Sequence, residues 1–279
     1  MYDNILIIDY GSQYTQLIAR RIRELKVFCN VYPYNKITLN LVNKLQPAGI
    51  ILSGGPNSVL DAKAPKLSNF ILDLRIPILG ICYGLQLLCF HKGGKINKSK
   101  SREYGNTFIS ITNNSYLFHG INNKNQNVWM SHGDHIVKLP SNFIQTSISN
   151  NNVISSIENK KLKIYGLQFH PEVFHTANGK KILNNYLFKI CLVKNKFELK
   201  DFIKNKIYEL KLLLKDEKVI CGLSGGVDST VTAYLLHKAI NNNLFCIFVD
   251  HGLLRKNEAN EVISIFKKKF NKNFVKINA

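Results

Sequence analysis

Short apolar runs that end on a polar residue or a glycine, each followed by a stretch at helical spacing, recur from the N-terminus. Asn4-Ile5-Leu6-Ile7-Ile8-Asp9 has the unbroken apolar character of a buried parallel strand and closes on an acid. Residues 10–13 read as a turn, and residues 14–25 as a helix with Leu17, Ile18, Arg21, Ile22 and Leu25 at helical spacing. A second strand is expected at 28–32, a short helix at 39–45 and a third strand at 49–52. Ser53-Gly54-Gly55-Pro56 follows at once. Residues 65–74 read as a helix leading into Ile76-Pro77-Ile78-Leu79, a fourth strand. Residues 85–90, free of Gly and Pro, start the next helix. This alternation predicts a mainly parallel sheet with helices on both faces. Ligands gather at the carboxyl ends of such strands, where Asp9, Gly54-Gly55 and Cys82 all fall.

The pattern then changes. Residues 107–158 are rich in Asn and Ser and alternate, as at 108–112 and 136–139, which predicts antiparallel strands. A strand at 163–169 runs straight into His170-Pro171-Glu172, and residues 177–190 form a closing helix. The polar stretch 194–201 is the best linker, dividing the chain into domains 1–193 and 194–279. An amphipathic helix at 202–214 precedes a second βαβ rhythm. It comprises a strand at 218–223, a helix at 230–240, a strand at 244–249, a helix at 257–270 and a strand at 274–277.

Composition narrows the class. In 279 residues, 45% are hydrophobic, enough for two cored domains. No run approaches the roughly 18 apolar residues of a membrane span. The N-terminus lacks a basic region before its apolar run, so no signal peptide is expected. Cys29, Cys82, Cys89, Cys191, Cys221 and Cys246 form no Cys-x-x-Cys pair. That favours neither a zinc site nor a disulfide framework and fits a reducing cytoplasm. The formal net charge of +20 allows nucleic-acid binding. Lys greatly outnumbers Arg, however, and no basic block is interleaved with aromatics. Segments such as 92–100 and 267–272 read as solvated faces, and no nucleic-acid partner is expected. Acidic small molecules, phosphates above all, remain compatible.

Gly80-Ile81-Cys82-Tyr83-Gly84-Leu85-Gln86, between a strand and a helix, has the form of a nucleophile elbow carrying cysteine. Cys82 would sit at a helix N-terminus, where free N–H groups favour a thiolate. A lone cysteine after a strand is ordinarily structural, and a lone histidine ordinarily a satisfied one. The combination is more specific. His170 and Glu172, two apart in an extended segment, point the same way, so Glu172 can orient the imidazole while His170 takes a proton from Cys82. Gly54-Gly55 offers backbone N–H groups at the same edge, and with the N–H of Tyr83 they could form an oxyanion hole.

Gly-Ile-Cys-Tyr-Gly-Leu-Gln with Phe169-His170-Pro171-Glu172 resembles the class I glutamine amidotransferases. The likeness extends through Asp9-Tyr10-Gly11-Ser12-Gln13-Tyr14-Thr15-Gln16, Ser53-Gly54-Gly55-Pro56, Arg102-Glu103-Tyr104-Gly105 and Met130-Ser131-His132-Gly133-Asp134. Together these resemble the amidotransferase half of the GMP synthase family. The resemblance implies a flavodoxin-like first domain in which Cys82 attacks the side-chain amide of glutamine and forms a thioester. It implies that His170 protonates the departing ammonia, that Glu172 completes the triad, and that Gly55 and Tyr83 supply oxyanion N–H groups. Gln86 and a loop of Ser131, His132, Gly133 and Asp134 are expected at the glutamine pocket. His132 could equally be structural. Glutamine hydrolysis itself needs no cofactor.

Ser224-Gly225-Gly226-Val227-Asp228-Ser229 lies between a strand and a helix, where glycine N–H groups can approach phosphate oxygens. It lacks the Gly-Lys-Ser/Thr ending of a Walker A loop, and a Gly-Gly turn alone is usually a plain connection. In this context it resembles the loop of N-type ATP pyrophosphatases, a parallel α/β fold of the adenine-nucleotide α-hydrolase type. The likeness to the GMP synthase family is strengthened by Phe248-Val249-Asp250-His251-Gly252-Leu253-Leu254-Arg255-Lys256-Asn257-Glu258. It implies ATP and Mg2+ as cofactors, Val249 at the adenine, Asp228 at the metal and xanthosine monophosphate as acceptor. A complete family member continues for about as long again. The rest of the nucleotide domain, the dimerisation domain and the xanthylate site are therefore expected outside these residues, with glutamine hydrolysis alone surviving. The rival reading, an amidotransferase supplying ammonia to another synthase such as that of anthranilate or carbamoyl phosphate, leaves residues 224–229 unexplained.

Overall fold

The structure is a computed structural model. It describes residues 2–122, 124–195, 197 and 199–279, the side chains of residues 99–102, 199 and 201 excepted. The chain divides into two compact units, Met1–Phe197 and Glu198–Ala279.

In the first unit, strand β1 (Asn4–Asp9) leads to helix α1 (Thr15–Glu24), β2 (Phe28–Pro33), α2 (Leu39–Leu45) and β3 (Gly49–Leu52). Helix α3 (Phe70–Asp73), β4 (Ile78–Ile81) and α4 (Tyr83–His91) follow. The long strands β5 (Lys95–Ile111) and β6 (Asn125–Lys138) precede β7 (Ile144–Ser149), β8 (Ile154–Asn159), β9 (Ile164–Leu167) and helix α5 (Gly179–Asn185). The sheet runs β2-β1-β3-β4-β9-β8-β7-β5-β6. Its first five strands are parallel, and the rest pair antiparallel.

Alternation explains why both faces are apolar. Ile5, Ile7, Ile51, Leu79, Ile81 and Leu167 pack with Ile18 and Ile22 of α1 and Ile182 of α5. Leu6, Ile8, Ile50, Leu52 and Ile78 face the other way, onto Val42 of α2, Ile71 of α3 and Leu85, Leu88 and Cys89 of α4. The adjacency of β1, β3, β4 and β9 brings their carboxyl ends to one edge, where the chemistry-bearing residues lie.

Several expectations need correction. The helix expected at 65–74 is only Phe70–Asp73. The carbonyl of Pro65 accepts from the Tyr83 hydroxyl at 2.6 Å rather than from the chain ahead, and Arg75 turns out of the helix at φ 55°. Residues 95–100, read as part of a solvated face, belong to β5. Residues 131–134, expected as a loop, lie inside β6. Pairing between these two strands satisfies backbone groups that no local signal assigned. The closing helix ends in a π turn, Tyr186–Ile190, with the Cys191 N–H bonded to the Tyr186 carbonyl at 2.9 Å.

The second unit contains α6 (Leu199–Leu214), β10 (Val219–Leu223), α7 (Val227–Ile240), β11 (Leu244–Asp250), α8 (Glu258–Phe270) and β12 (Phe274–Asn278). Its strands pair in parallel in the order β10-β11-β12. Cys221, Leu223, Cys246 and Phe248 pack against Ala233, Val262, Phe266 and Phe270. Helix α7 begins at Val227, earlier than expected, so residues 227–229 form its first turn. Among the described residues no helix is long and apolar enough to cross a membrane.

Candidate active site

Cys82 follows β4 and precedes α4, in a backbone conformation of φ 51° and ψ −106° that non-glycine residues rarely adopt. Its neighbours explain how that turn is held. A Cβ on Gly80 would lie 2.6 Å from the Gly84 carbonyl carbon and the Leu85 nitrogen, and one on Gly84 would lie 2.4 Å from the Leu52 carbonyl oxygen. Glycine at both places lets the chain reverse within van der Waals contact of β3. The Cys82 N–H donates to the Leu167 carbonyl at 2.7 Å, which ties the turn to β9. Cys82 is 4% exposed, and its Sγ faces the Ser131 carbonyl at 3.5 Å.

His170 lies just past β9, its N–H bonded to the Trp129 carbonyl at 3.0 Å. Its Nδ1 meets Glu172 Oε1 at 2.7 Å, and the ring edge rests on Tyr14 with centroids 5.0 Å apart. Burial would drive the imidazolium to lose its proton. The Glu172 carboxylate and the Cys82 sulfur outweigh it and raise the His170 pKa well above the usual histidine range. Glu172 is fully buried, its backbone carbonyl accepting from Arg21 Nε at 3.0 Å. Burial alone pushes the Cys89 and Cys191 thiols up to about 12, and it is the main cause that pushes Cys246 up to about 11, so these remain packing residues.

A cavity of about 610 Å³ opens over Cys82. Gly55, Tyr83, Gln86, Ser131, His132, Gly133, Asp134 and His170 all line it. Gln86 Nε2 donates to the Asp134 carbonyl at 2.9 Å and to Gln168 Oε1 at 3.2 Å. Ser58 hydrogen-bonds the Asp134 carboxylate, and Lys98 pairs with Asp61 at 3.3 Å; all four line the cavity. His132 is bonded at both ring nitrogens, Nδ1 to the Asp134 carbonyl at 2.9 Å and Nε2 to Glu103 at 2.9 Å. Glu103 is itself buried, which disfavours its charge. Hydrogen bonds from His132, Asn151 and Ser149 outweigh that and hold its carboxyl below the usual range. The Arg102 side chain, beside it in the sequence motif, lies outside the described residues.

Sequence reasoning overlooked Gln168, which is fully buried with Nε2 3.8 Å from Cys82 Sγ. A signal was present, since Gln168, His170 and Glu172 fall at alternate positions, although the chain bends at 168–169 and turns at 171–172 where an extended segment was expected. Glu103 had no such signal, because its partners come from β6, the end of β7 and the turn after it.

In the second unit, residues 224–226 form an exposed turn between β10 and α7, and residues 227–229 open the helix. Gly225 has φ 82°, the Ser224 N–H donates to Ser229 Oγ at 3.2 Å, and Thr230 Oγ1 donates to the Gly226 carbonyl at 2.8 Å. Asp228 is in the first helical turn, and Val249 near the end of β11 is partly exposed. Among the described residues no three His, Cys, Asp or Glu side chains gather as a metal site. One carboxylate beside an open phosphate-sized turn does suit Mg2+, which commonly takes one or two protein oxygens and completes its shell with substrate phosphates and water.

A cysteine elbow, a buried His–Glu pair and a polar cavity on a mainly parallel sheet define an amidotransferase. Residues 6–190 match the family model for glutamine amidotransferase class-I, and the chain belongs to that family. Residues 196–279 match the NAD synthase family model. The chain is similar to the protein named GMP synthase [glutamine-hydrolyzing] of Clostridium kluyveri, 49% identical over 275 residues, covering 99% of this chain and 54% of that protein. Its likeness to the protein of the same name from Carboxydothermus hydrogenoformans is 48% over 279 residues, again 54% of the relative. The chain thus spans about half the length of the curated relatives it matches. The crystal structure of a candidate GMP synthase subunit from Thermoplasma acidophilum is 31% identical with a TM-score of 0.60, covering 69% of this chain and 95% of that one. A Thermotoga maritima glutamine amidotransferase at 22% identity and a TM-score of 0.52, covering 86% of this chain and 96% of its own, shares the fold.

Proposed function

We propose that the first unit hydrolyses glutamine and that the chain serves glutamine-dependent GMP synthesis. The observation that carries the reading is Cys82 beside the His170–Glu172 pair at the floor of a polar cavity. The thiolate of Cys82 attacks the amide carbon, and the developing oxyanion meets the N–H groups of Gly55 and Tyr83. His170 passes its proton to the nitrogen, the C–N bond breaks, and ammonia leaves a γ-glutamyl thioester. A water then gives its proton to His170 and its oxygen to the acyl carbon, releasing glutamate and the thiol. Glu172 holds the ring through Nδ1 and stabilises the imidazolium. Gln86 and residues 131–134 wall the glutamine pocket.

The second unit takes ATP in this reading. N–H groups at the start of α7, within residues 224–229, would receive phosphate, Val249 would meet the adenine, and Asp228 with the phosphates would hold Mg2+. Bound Mg2+ supplies charge neutralisation at the phosphates. Adenylated xanthosine monophosphate is the acceptor for the ammonia. The names of the 49% identical relatives and the glycine-rich turn on the same polypeptide favour this over service to a different synthase.

The test is glutamate release from glutamine, with Cys82→Ala as control. Steady release by wild type and none by the variant is expected. Equal release from both would remove Cys82 from the chemistry. For the second unit, ATP binding by calorimetry with and without Mg2+ should be weakened when Gly225 is replaced by Val.

A further inference from the structure

We propose that Glu103 is a positioning residue for glutamine: through His132 it locks the 131–134 backbone that walls the pocket beside Cys82. The inference rests on the glutaminase reading and deepens it. Glu103 on β5 stands opposite His132 on β6, and both side chains are buried. Oε1 of Glu103 accepts from Ser149 Oγ at 2.9 Å and Asn151 Nδ2 at 2.8 Å, while Oε2 faces His132 Nε2 at 2.9 Å. The far nitrogen of the same ring meets the Asp134 carbonyl at 2.9 Å. Both ring nitrogens are thus engaged, and the imidazole cannot turn without breaking a bond at each end.

The Asp134 carbonyl also accepts from Gln86 at 2.9 Å, on the helix that Cys82 begins. A continuous line of bonds therefore runs from a buried carboxylate, through a histidine and a strand carbonyl, to the helix of the nucleophile. This line acts alongside the sheet pairing of the same residues. The β5–β6 ladder pairs Lys98 with Asp134 and Glu103 with His132, with a register shift between the two pairs. Residues 131–134 of the pocket wall span that shift, so the line of side-chain bonds reinforces the ladder where its register breaks.

The test compares steady-state glutaminase kinetics with alkylation of Cys82 by iodoacetamide, read at the Cys82 peptide by mass spectrometry. Alkylation needs the thiol and its base but not the glutamine pocket. Glu103→Leu removes the acceptor for buried His132. It should raise KM for glutamine about tenfold or more with kcat within about threefold, and leave the alkylation rate unchanged. Glu103→Gln should return KM to within about threefold of wild type. Its amide nitrogen can donate to His132 Nε2 while Nδ1–H keeps the Asp134 carbonyl, and its amide oxygen keeps Ser149 and Asn151. Glu103→Asp, withdrawn by one methylene, should show a smaller KM rise, which keeps the test open if the leucine variant does not fold. Three results would each overturn the proposal: no change in KM in Glu103→Leu and Glu103→Asp; no recovery in Glu103→Gln; or loss of alkylation together with kcat. If wild type releases no glutamate at all, the glutaminase reading fails and the proposal with it, a result distinct from those three.

Discussion

Both units turn from a parallel strand into a helix around glycines, at Cys82 and at residues 224–226, yet the two turns are built for opposite ends. At Cys82 every direction is occupied. Gly80 and Gly84 are pressed against backbone, the cysteine is held at a positive φ, and helix α4 is buried along most of its length. At residues 224–226 the turn is exposed: a Cβ on Gly225 would meet only the Val262 side chain, at 2.7 Å, and one on Gly222, near the end of β10 before it, would meet nothing within 4 Å. A packed turn presents one side chain with fixed aim, as a nucleophile needs. An open turn presents a row of N–H groups, as a phosphate needs. The sheets differ in the same sense. In the first unit both faces are covered, whereas Ile220 on β10 is 71% exposed, with Val275 and Ile277 on β12 both 43% exposed.

The comparison breaks most completely at the nucleophile. Cys82→Ala should reduce glutamate release to background, with the circular dichroism spectrum and melting temperature close to wild type, since only the sulfur is lost. Next comes the base. Glu172→Gln should lower kcat by about 10²–10⁴-fold, as loss of the orienting carboxylate does in comparable triads, yet leave Cys82 open to labelling by a diazoketone analogue of glutamine. The pH dependence gives the sign. His170 has its pKa raised in the folded state, so its protonation stabilises the fold fully below the ordinary histidine range and is lost as pH rises through the raised value. Melting temperature should therefore decline on the alkaline side of neutrality in wild type. Glu172→Gln removes the charge that raises the pKa, and most of that decline should vanish with it.

Two glycine substitutions sharpen the contrast of turns at smaller scale. Gly84→Ala forces a methyl into the Leu52 carbonyl and should cost about 2–4 kcal/mol in chemical unfolding. Gly222→Ala meets open space and should change stability by less than about 1 kcal/mol, in the stabilising direction, because it chiefly restricts the unfolded chain. A large loss at Gly222 would mean that the end of β10 leading into the second turn is as tightly packed as the strand before Cys82.

Much of this was legible along the chain because its signals are local. The unbroken run Ile5-Leu6-Ile7-Ile8 can only be a strand covered on both sides, and β1, α2 and β3 lie where periodicity placed them. A cysteine between two glycines, and a histidine two residues from a glutamate, carry their chemistry within a few residues. What the sequence could not determine depends on partners far away in it. Residues 95–100 read as a lysine-rich surface, and 131–134 as a loop, because the bonds that make them strands run across the β5–β6 pair. Glu103 gave no sign of its burial, since its charge is tolerable only with Ser149, Asn151 and His132 arranged around it. Local propensity and spacing thus brought forward the groups proposed to do chemistry. The desolvated networks that hold those groups required the tertiary structure, because a buried polar side chain is defined by its surroundings and by nothing in its own neighbourhood of sequence.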